Sequence, residues 1–446
     1  MTVNKKNHDE KSKETAETVT EGDLVRVEIL GLAATGKGVA AMKKGEFTAP
    51  VFVEYSCPGD VINARIIKKE KKYYEAEIAN FVQQSQQRVI AKCKHYQICG
   101  ACNLLHINYA AQISEKVKIL RFLLEKKEIG FSTIKTIIDD KQYNYKDKAR
   151  FYLRIDNGKS LCGFMKRKSN EIVKVEECLI VNKKILALIQ LLNITAFDKQ
   201  INDAVEISAA EDMIEHKLVL HFSLESGSYL LTNAFEHFFD ENKELIKGVN
   251  IQVKKKTKRI GDYSCKYKYN NITYSFLPET FSQGNFQTNQ KLVSVVSELC
   301  GKGKELLELY AGFGNFTLQL AKHFERITAV EGEYKSVHFG LENIELNKIK
   351  NVKFVNKDVE TFLESKFGQS NCILLDPPRD GCSSFVLDKI SKHTERIVYV
   401  SCNPTALARD LLHLNKNNFF VSEIYLVDMF AQTNHFEIVV KMEKKK

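Results

Sequence analysis

The chain has 446 residues, 44% hydrophobic and 27% charged, a composition typical of a globular protein with about two to four domains. Its formal net charge of +10 favours a polyanionic partner, with nucleic acid as the leading candidate. No apolar stretch approaches the roughly 18 to 20 residues of a membrane span, and the first residues lack the apolar core of a signal peptide. We therefore expect a cytoplasmic monomer without a membrane partner, whose eleven cysteines are free thiols or metal ligands.

The first 82 residues divide into a polar tail and a small β domain. Residues 1–20 contain little that could be buried, so they are predicted to be disordered. Residues 21–82 alternate at period two in several short runs separated by glycines, which predicts an OB-like β-barrel. Its last two strands carry cations beside aromatic rings, a pattern that favours RNA contact, although a solvated lysine hairpin is the alternative. These residues are Arg65, Lys68, Lys69, Lys71, Lys72, Tyr73 and Tyr74.

A cysteine cluster opens the next region. Cys93, Cys99 and Cys102 are spaced C-x5-C-x2-C, with Gly100 in the turn, and Cys178 is a candidate fourth ligand from farther along the chain. Three thiols within ten positions favour one metal centre. Sulfur-only ligation suits both a structural zinc ion and an iron-sulfur cluster, so spacing alone leaves the two open.

Residues 83–280 are predicted to form a central α+β domain. An amphipathic helix over residues 109–124 has apolar residues at helical spacing and is followed by Gly130. Further on, strands are predicted at 149–155 and 218–222, with a helix at 185–192.

Residues 281–446 are predicted to form a doubly wound α/β domain of Rossmann-like type. The buried strand 305–310 leads into Gly312 and Gly314 and then a helix, but Thr317 stands where a dinucleotide fingerprint requires a third glycine. Glu331, Asp358 and Asp376 follow three successive strands. Acids at neighbouring strand ends suit an adenosine without a phosphate, and S-adenosylmethionine is the ligand this favours.

The run Asp376-Pro377-Pro378-Arg379 narrows the reaction. Methyltransferases acting on amines commonly place an aromatic residue where this chain has Arg379, so a carbon acceptor is favoured. C5 of uracil accepts a methyl group only after a thiolate adds to C6, and Cys402, directly after strand 397–400, is presented as such a nucleophile. Glu437, among apolar neighbours, is the candidate base that removes the C5 proton, with His435 as a rival.

With these motifs the chain resembles the iron-sulfur-containing RNA uracil-C5 methyltransferases that carry an N-terminal TRAM barrel and act on 23S rRNA. The resemblance extends from about residue 22 to residue 440. It is carried by residues 36–40, 93–102, 145–150, 281–285, 312–316, 376–379, 401–404 and 435–437. Tyr310-Ala311 departs from the Phe-Cys that is common in relatives, but an aromatic residue is retained.

The resemblance implies a class I methyltransferase domain and a role for each motif. Cys402 would be the nucleophile and Glu437 the base. The ligands of a [4Fe-4S] cluster would be Cys93, Cys99, Cys102 and Cys178. Contacts to S-adenosylmethionine would come from Gln283, Tyr310, Asn315, Glu331, Asp358 and Asp376. The expected reaction is methylation of a uridine C5 in 23S rRNA, with the T-loop uridine of tRNA as the second substrate. An amine or small-molecule methyltransferase and a non-catalytic RNA-binding factor are the alternatives from other classes.

Overall fold

The computed structural model describes residues 19–44, 47–156, 158–197, 201–225, 229–365 and 367–445. The chain divides into two compact units, Met1–Arg88 and Val89–Lys446. Most of the tail predicted over residues 1–20 lies outside the described residues, but Val19 is buried and packs into the core of the first unit. None of the helices in the described ranges is long and apolar enough to cross a membrane.

The first unit contains a closed five-stranded barrel, as its alternating sequence predicts. The strand order is β1-β2-β3-β5-β4, and β3 pairs with β5 in parallel while the other pairs are antiparallel. In β1, Val27 and Ile29 face the core and their neighbours are exposed, because successive strand residues point to opposite faces. The strands are β1 (Leu24–Leu32), β2 (Gly38–Lys44), β3 (Phe47–Val53), β4 (Val61–Lys69) and β5 (Tyr74–Gln83).

The second unit begins with a helix, a short strand and a large sheet. Its first elements are α1 (Tyr109–Glu125), β6 (Ile134–Ile137), β7 (Lys148–Asp156), β8 (Lys159–Met165), β9 (Ile172–Lys174), α2 (Lys183–Ile194), β10 (Ile201–Asp212), β11 (Lys217–Leu224), α3 (Tyr229–Glu241), β12 (Ile246–Val253) and β13 (Lys256–Gly261). Seven of these strands form a sheet of order β13-β12-β11-β10-β7-β8-β9. Residues of α2 and α3 pack on it, and Phe235 of α3 stacks on Phe222 of β11.

A hairpin and a second sheet complete the unit. The remaining elements are β14 (Cys265–Tyr269), β15 (Ile272–Phe276), α4 (Phe286–Cys300), β16 (Gly303–Leu309), α5 (Thr317–Leu320), β17 (Phe324–Glu331), α6 (Tyr334–Leu346), β18 (Val352–Asn356), α7 (Val359–Glu364), β19 (Cys372–Leu375), α8 (Ser384–Ile390), β20 (Arg396–Ser401), α9 (Pro404–Lys416), β21 (Phe419–Val427) and β22 (Glu437–Lys444). The β14–β15 hairpin forms a separate two-stranded sheet.

The second sheet is doubly wound, as predicted, with order β18-β17-β16-β19-β20-β22-β21-β6. Its neighbouring strands run parallel except at β22, which is antiparallel to β20 and β21. One face packs on α1, α7, α8 and α9, and the other on α4, α5 and α6. The chain order reverses between β16 and β19, so a ligand crevice is expected at the carboxyl ends of these strands.

The segment of α1 and β6 belongs to the second sheet, although its position in the sequence suggests the first. Residues 83–280 were predicted as a separate central domain, but β6 pairs in parallel with β21 at the edge of the second sheet. Leu120 and Leu124 of α1, with Ile134 of β6, belong to the core of that sheet. The predicted boundary at residue 281 therefore does not separate the two sheets. Apolar residues of α1 and β6 lie in the core of the second sheet, and β6 pairs with β21, about 290 positions later.

Candidate active site

The turn after β16 lies at the switch point, where a ligand crevice is expected. Tyr310 has a φ of 64° and Gly314 a φ of 94°, both in the left-handed region. A Cβ at Gly314 would lie 3.2 Å from the ring of Phe354 and 3.3 Å from Leu318, so a larger residue would have both a strained backbone and a tight contact there.

Glu331, at the end of β17, is held by backbone groups. The N–H of Gly312 donates to Glu331 Oε2 at 2.9 Å, and the N–H of Glu333 donates to Oε1 at 2.8 Å. Asp358 caps α7 by accepting from the backbone N–H groups of Glu360 and Thr361 at 2.9 and 3.1 Å. The structure therefore places these two predicted acids at the ends of adjacent strands with their carboxylates fixed.

Asn315 lies in the same turn and is held by α4. Its side-chain amide pairs with that of Asn289 in both directions, at 2.8 and 3.1 Å, and the hydroxyl of Tyr267 donates to Asn315 Oδ1 at 3.3 Å. Tyr310 is half-buried and hydrogen-bonded with Cys382. Both predicted residues thus lie in the turn after β16 and are held by hydrogen bonds to neighbouring side chains.

Cys402 and Glu437 are brought together by the register of β20 and β22. The antiparallel pairing sets Val400 opposite Val439 and Ser401 opposite Ile438. Continuing that register by one position places Cys402 opposite Glu437. Directly opposed residues of antiparallel strands have Cα atoms about 4.5 to 5.5 Å apart, so the thiol and the carboxylate, 35 positions apart in sequence, are expected to lie close together. The charge of Glu437 acts on the pKa of the Cys402 thiol, which agrees with this placement.

Burial changes the acidity of this pair. It raises the pKa of Glu437 to about 8, with a further increase from the charge of Asp376. It raises the pKa of the Cys402 thiol to about 11, and the charges of Glu437 and Asp376 add to the effect. The positive charge of Arg379 opposes both shifts. Burial, with the charge of Glu331, also raises the pKa of Asp376 to about 7.

Gln283 and His435 lie close to the same pair. The Gln283 side chain is buried and hydrogen-bonded to Glu437, which favours the ionised carboxylate. Desolvation of its ring, together with the charge of Arg379, lowers the pKa of His435 to about 4. His435 is thereby a weak base, and Glu437 is the stronger of the two candidates.

Cys402 is fixed by the helix that follows it. Asn403 caps α9 by accepting from the N–H of Thr405 at 3.0 Å, and Pro404 opens the first turn. The side-chain amide of Asn403 also donates to Arg379 O at 2.9 Å, which joins the two motifs. The positive end of the α9 dipole lies beside the thiol and favours its anionic form.

Two residues of α9 that the motif analysis did not select hold the loop of residues 376–382. Asp410 is buried and accepts from the N–H of Cys382 at 2.8 Å and from the hydroxyl of Tyr399 at 2.7 Å. Arg409 donates to Asp380 O at 2.6 Å. The available signal was the position of Asp410 on the apolar face of α9, among Leu407, Leu411 and Leu414, since a buried acid requires partners.

The four predicted cysteines of the cluster lie together. Cys93, Cys99, Cys102 and Cys178 line one cavity of about 20 Å³. Burial raises the pKa of the Cys99 thiol to about 11, and the backbone N–H of Ala101 bonds to it and opposes that shift. Within the ranges that the structure describes, no group of three or more His, Cys, Asp or Glu side chains is arranged to hold a metal ion.

The turn between these cysteines differs from expectation in one respect. Gly100 is not among the residues with positive φ, whereas Gln97 has a φ of 72°. Gly100 instead lies against the β8–β9 turn, where its N–H donates to Met165 O at 3.1 Å. The left-handed residue of this segment is therefore Gln97, between Cys93 and Cys99, and not Gly100.

The barrel gives a mixed result for the predicted aromatic and basic surface. Tyr74 is buried in the barrel core, so its ring is not available for stacking on a base. Tyr73 is half-buried and makes an edge contact with Phe52. Lys68 pairs with Glu70 at 2.6 Å, and Arg65 lies 3.9 Å from Glu77. The cations are at the surface as predicted, but part of their charge is balanced by neighbouring acids.

Comparisons with known proteins agree with this geometry. Residues 108–445 match the family described as tRNA (Uracil-5-)-methyltransferase. A 23S rRNA (uracil(1939)-C(5))-methyltransferase of Marinomonas sp. is 29% identical over 432 residues, covering 95% of this chain and 96% of that protein. The protein of the same description from Psychromonas ingrahamii is 30% identical over 440 residues, covering 93% and 95%.

A solved structure agrees at the level of the fold. The Pyrococcus abyssi tRNA (uracil-54, C5)-methyltransferase, crystallised with S-adenosyl-L-homocysteine, matches with a TM-score of 0.73 and 24% identity. The match covers 94% of this chain and all of that one. This likeness identifies the fold as that of the class I S-adenosylmethionine-dependent methyltransferases.

The family match begins at residue 108, the residue that caps α1, and so includes the early elements of the second sheet. By its sequence match over three quarters of its length and by its strand order, the chain belongs to the tRNA (uracil-5-)-methyltransferase family.

Proposed function

We propose that this protein transfers the methyl group of S-adenosylmethionine to C5 of a uridine in 23S rRNA. The observation that carries the proposal is the β20–β22 register, which, continued by one position, would set Cys402 opposite Glu437. Methylation of uracil C5 requires a nucleophile that adds to C6 and a base that removes the proton from the neighbouring C5. The names of the Marinomonas and Psychromonas relatives support 23S rRNA as the substrate.

The methyl donor would bind in the crevice at the switch point. Glu331 would accept hydrogen bonds from the ribose hydroxyls, because both its oxygens are already oriented by backbone N–H groups. Asp358, at the next strand end, would contact the adenine. Tyr310, Asn315, Asp376 and Gln283 would complete the binding site on its other sides.

The first chemical step would be addition of Cys402. The thiol loses its proton to solvent, and Sγ bonds to uracil C6 while the C5–C6 π electrons move to the C4 carbonyl as an enolate. C5 then bonds to the donor methyl group, and the electron pair of the broken S–CH₃ bond stays on the sulfur of S-adenosylhomocysteine. Arg379 and the start of α9 would favour the thiolate, since each presents positive charge to it.

The second step would be elimination by Glu437. Its carboxylate removes the C5 proton, the released electron pair re-forms the C5–C6 double bond, and the thiolate leaves C6. A carboxylate whose pKa is about 8 is a far stronger base than one in water, and a base is most effective when its pKa lies near the working pH. Gln283 would keep the carboxylate oriented through its hydrogen bond.

The cysteine site would hold a [4Fe-4S] cluster. Its four candidate ligands, Cys93, Cys99, Cys102 and Cys178, line one cavity, and thiolate sulfur is the usual ligand of such clusters. Backbone N–H groups of His95 and Ala101 are bonded to Cys93 and Cys99, which stabilises anionic sulfur. A bound cluster would supply covalent links between these segments.

The barrel would bind RNA as a TRAM domain. The net charge of +10 and the exposed cations of β4 support contact with the phosphate backbone. The target uridine would leave its stack to reach Cys402, at a cost of a few kcal/mol that is smallest in a loop or bulge. The second candidate substrate is a tRNA uridine, which the description of the matching family favours.

One experiment tests the reaction and its substrate. The protein is incubated with methyl-labelled S-adenosylmethionine and, separately, 23S rRNA and tRNA transcripts, and the RNA is digested to nucleosides. Labelled 5-methyluridine from 23S rRNA is the expected product. Label in another nucleoside, or in 5-methyluridine from tRNA alone, contradicts the proposal. RNA carrying 5-fluorouridine should in addition form a stable adduct with Cys402, because fluorine cannot leave as a proton.

A further inference from the structure

The loop between β21 and β22, residues 428–436, determines where Glu437 lies. It contains no helix or strand in the structure and leads directly into Glu437, the first residue of β22. Few backbone groups of this loop form β-sheet hydrogen bonds. The conformation of the loop therefore depends on side chains from elsewhere in the second unit. Those side chains come largely from residues 103–116, which begin directly after Cys102.

Asn103 makes the most direct contacts with this loop. Its side-chain amide donates to Asn434 Oδ1 at 2.7 Å, and its Oδ1 accepts from the backbone N–H of Asn434 at 2.9 Å. The backbone N–H groups of Asn103 and Leu104 donate to Gln432 O at 3.3 and 3.1 Å. Asn434 precedes Glu437 by three positions, so these bonds act close to the carboxylate.

Residues of α1 hold the rest of the loop. Gln112 is fully buried and pairs with Gln432, donating to its Oε1 at 2.9 Å and accepting from its backbone N–H at 3.1 Å. Lys116 forms a buried ion pair with Asp428 and donates to His435 O at 3.2 Å. Directional bonds of this kind, all shielded from water, fix a loop more tightly than apolar packing does.

We propose that Asn103 is a positioning residue for Glu437 and that it sets the rate of proton abstraction from C5. The inference rests on the proposed function. Cys402 is fixed by other contacts, the Asn403 cap and the start of α9, so loss of Asn103 acts on elimination far more than on addition and methyl transfer. The residues directly after Cys102 thereby control proton abstraction and product release through a few hydrogen bonds to the loop of residues 428–436.

The test separates the two halves of the reaction. Asn103→Ala is compared with the unaltered protein and with Asn417→Ala, which loses a side-chain bond to Asp388 at the far end of α9. A single turnover with labelled S-adenosylmethionine and substrate RNA gives two rates, methyl transfer into the protein–RNA adduct and release of methylated RNA. For Asn103→Ala we expect release to slow about tenfold and the denaturant-stable methylated adduct to accumulate, with transfer changed by less than about threefold. Asn417→Ala should leave both rates unchanged.

A conservative variant distinguishes positioning from folding. Asn103→Asp retains an acceptor for the N–H of Asn434, so its release rate should lie between those of the alanine variant and the unaltered protein at an unchanged unfolding temperature. Adding Asn434→Ala to Asn103→Ala should slow release no further than either change alone. Equal slowing of transfer and release in Asn103→Ala and Asn103→Asp would overturn the inference. Absence of 5-methyluridine with the unaltered protein would instead overturn the proposed function.

Discussion

The two halves of the second sheet hold their acids in different ways. At the ends of β17 and β18, Glu331 and Asp358 accept hydrogen bonds from backbone N–H groups and are half-buried or exposed. At the ends of β20 and β22, Cys402 and Glu437 face one another, and burial raises the pKa of each. The first half holds its carboxylates in fixed orientations, as ligand binding would require, whereas the second buries groups that would exchange protons in the proposed reaction. Changes in the second half should therefore alter the chemistry, and changes in the first half should alter affinity.

The largest effect is expected from Cys402→Ala. Without the thiolate, C5 of uracil is too weak a nucleophile to accept the methyl group, so formation of 5-methyluridine should fall about 10⁴-fold or more. The control is Cys300→Ala, which removes a core thiol of α4 and should retain activity below its unfolding temperature. Normal turnover by Cys402→Ala, measured by nucleoside analysis, would eliminate the covalent mechanism.

Glu437→Gln should lower turnover about 10³-fold by blocking elimination, and the methylated adduct should accumulate in denaturing gels.

The same variant should be more stable than the unaltered protein at high pH. The pKa of Glu437 is raised from 4.5 to about 8, so the folded state favours the protonated carboxyl, and stability is lost as pH rises through this window. Glutamine carries no such cost, so its advantage in unfolding free energy should grow by about 3 kcal/mol from pH 5 to pH 8. A constant difference across that range would show that the carboxyl is not buried in this way.

Glu331→Gln should affect binding instead. An amide leaves one of the two backbone donors, Gly312 or Glu333, facing an NH₂ group, so the ribose contact is weakened. The KM for S-adenosylmethionine should rise about 10- to 100-fold while the extent of 5-fluorouridine adduct formation at saturation stays close to normal. A loss confined to kcat would contradict the division between the two halves.

Arg379→Gln should produce the smallest of these effects, a shift in the pH profile. Arg379 lowers the pKa of Cys402 and of Glu437, so its removal raises both, and the rising limb of the rate against pH should move about half a unit to one unit toward alkaline pH. Arg326→Gln, which loses a surface pair with Glu305, is the matched control and should leave the profile in place. An acid shift would show that Arg379 acts on other groups.

The positions of the site residues at strand ends could be predicted, because each residue ends or follows a strand that the local sequence pattern indicates. Glu331 ends its strand, and Asp358, Asp376 and Cys402 closely follow theirs, so period and spacing locate them. The five-stranded barrel and the doubly wound sheet follow from the same local patterns. The match to the tRNA (uracil-5-)-methyltransferase family confirms the resemblance at that level.

The contacts between distant segments could not be predicted from local patterns. The pairing of Cys402 with Glu437 requires β22 to insert antiparallel between β20 and β21, and no local property of either strand specifies that order. Asn103, Gln112 and Gln432 have no periodicity that distinguishes them from surface residues, and the last two are 320 positions apart. The edge position of β6 was missed because a four-residue strand carries little signal of its own.

The place of β6 also constrains how the chain folds during synthesis. Lys135 of β6 contacts Tyr425 of β21, 290 positions later, so β6 leaves the ribosome long before its neighbour exists. Contacts of such sequence separation form slowly, and an unpaired edge strand is prone to wrong partners in the meantime. The pairing of β6 therefore forms only after β21 has been made, and Cys402 and Glu437 come together only after β22 has been made.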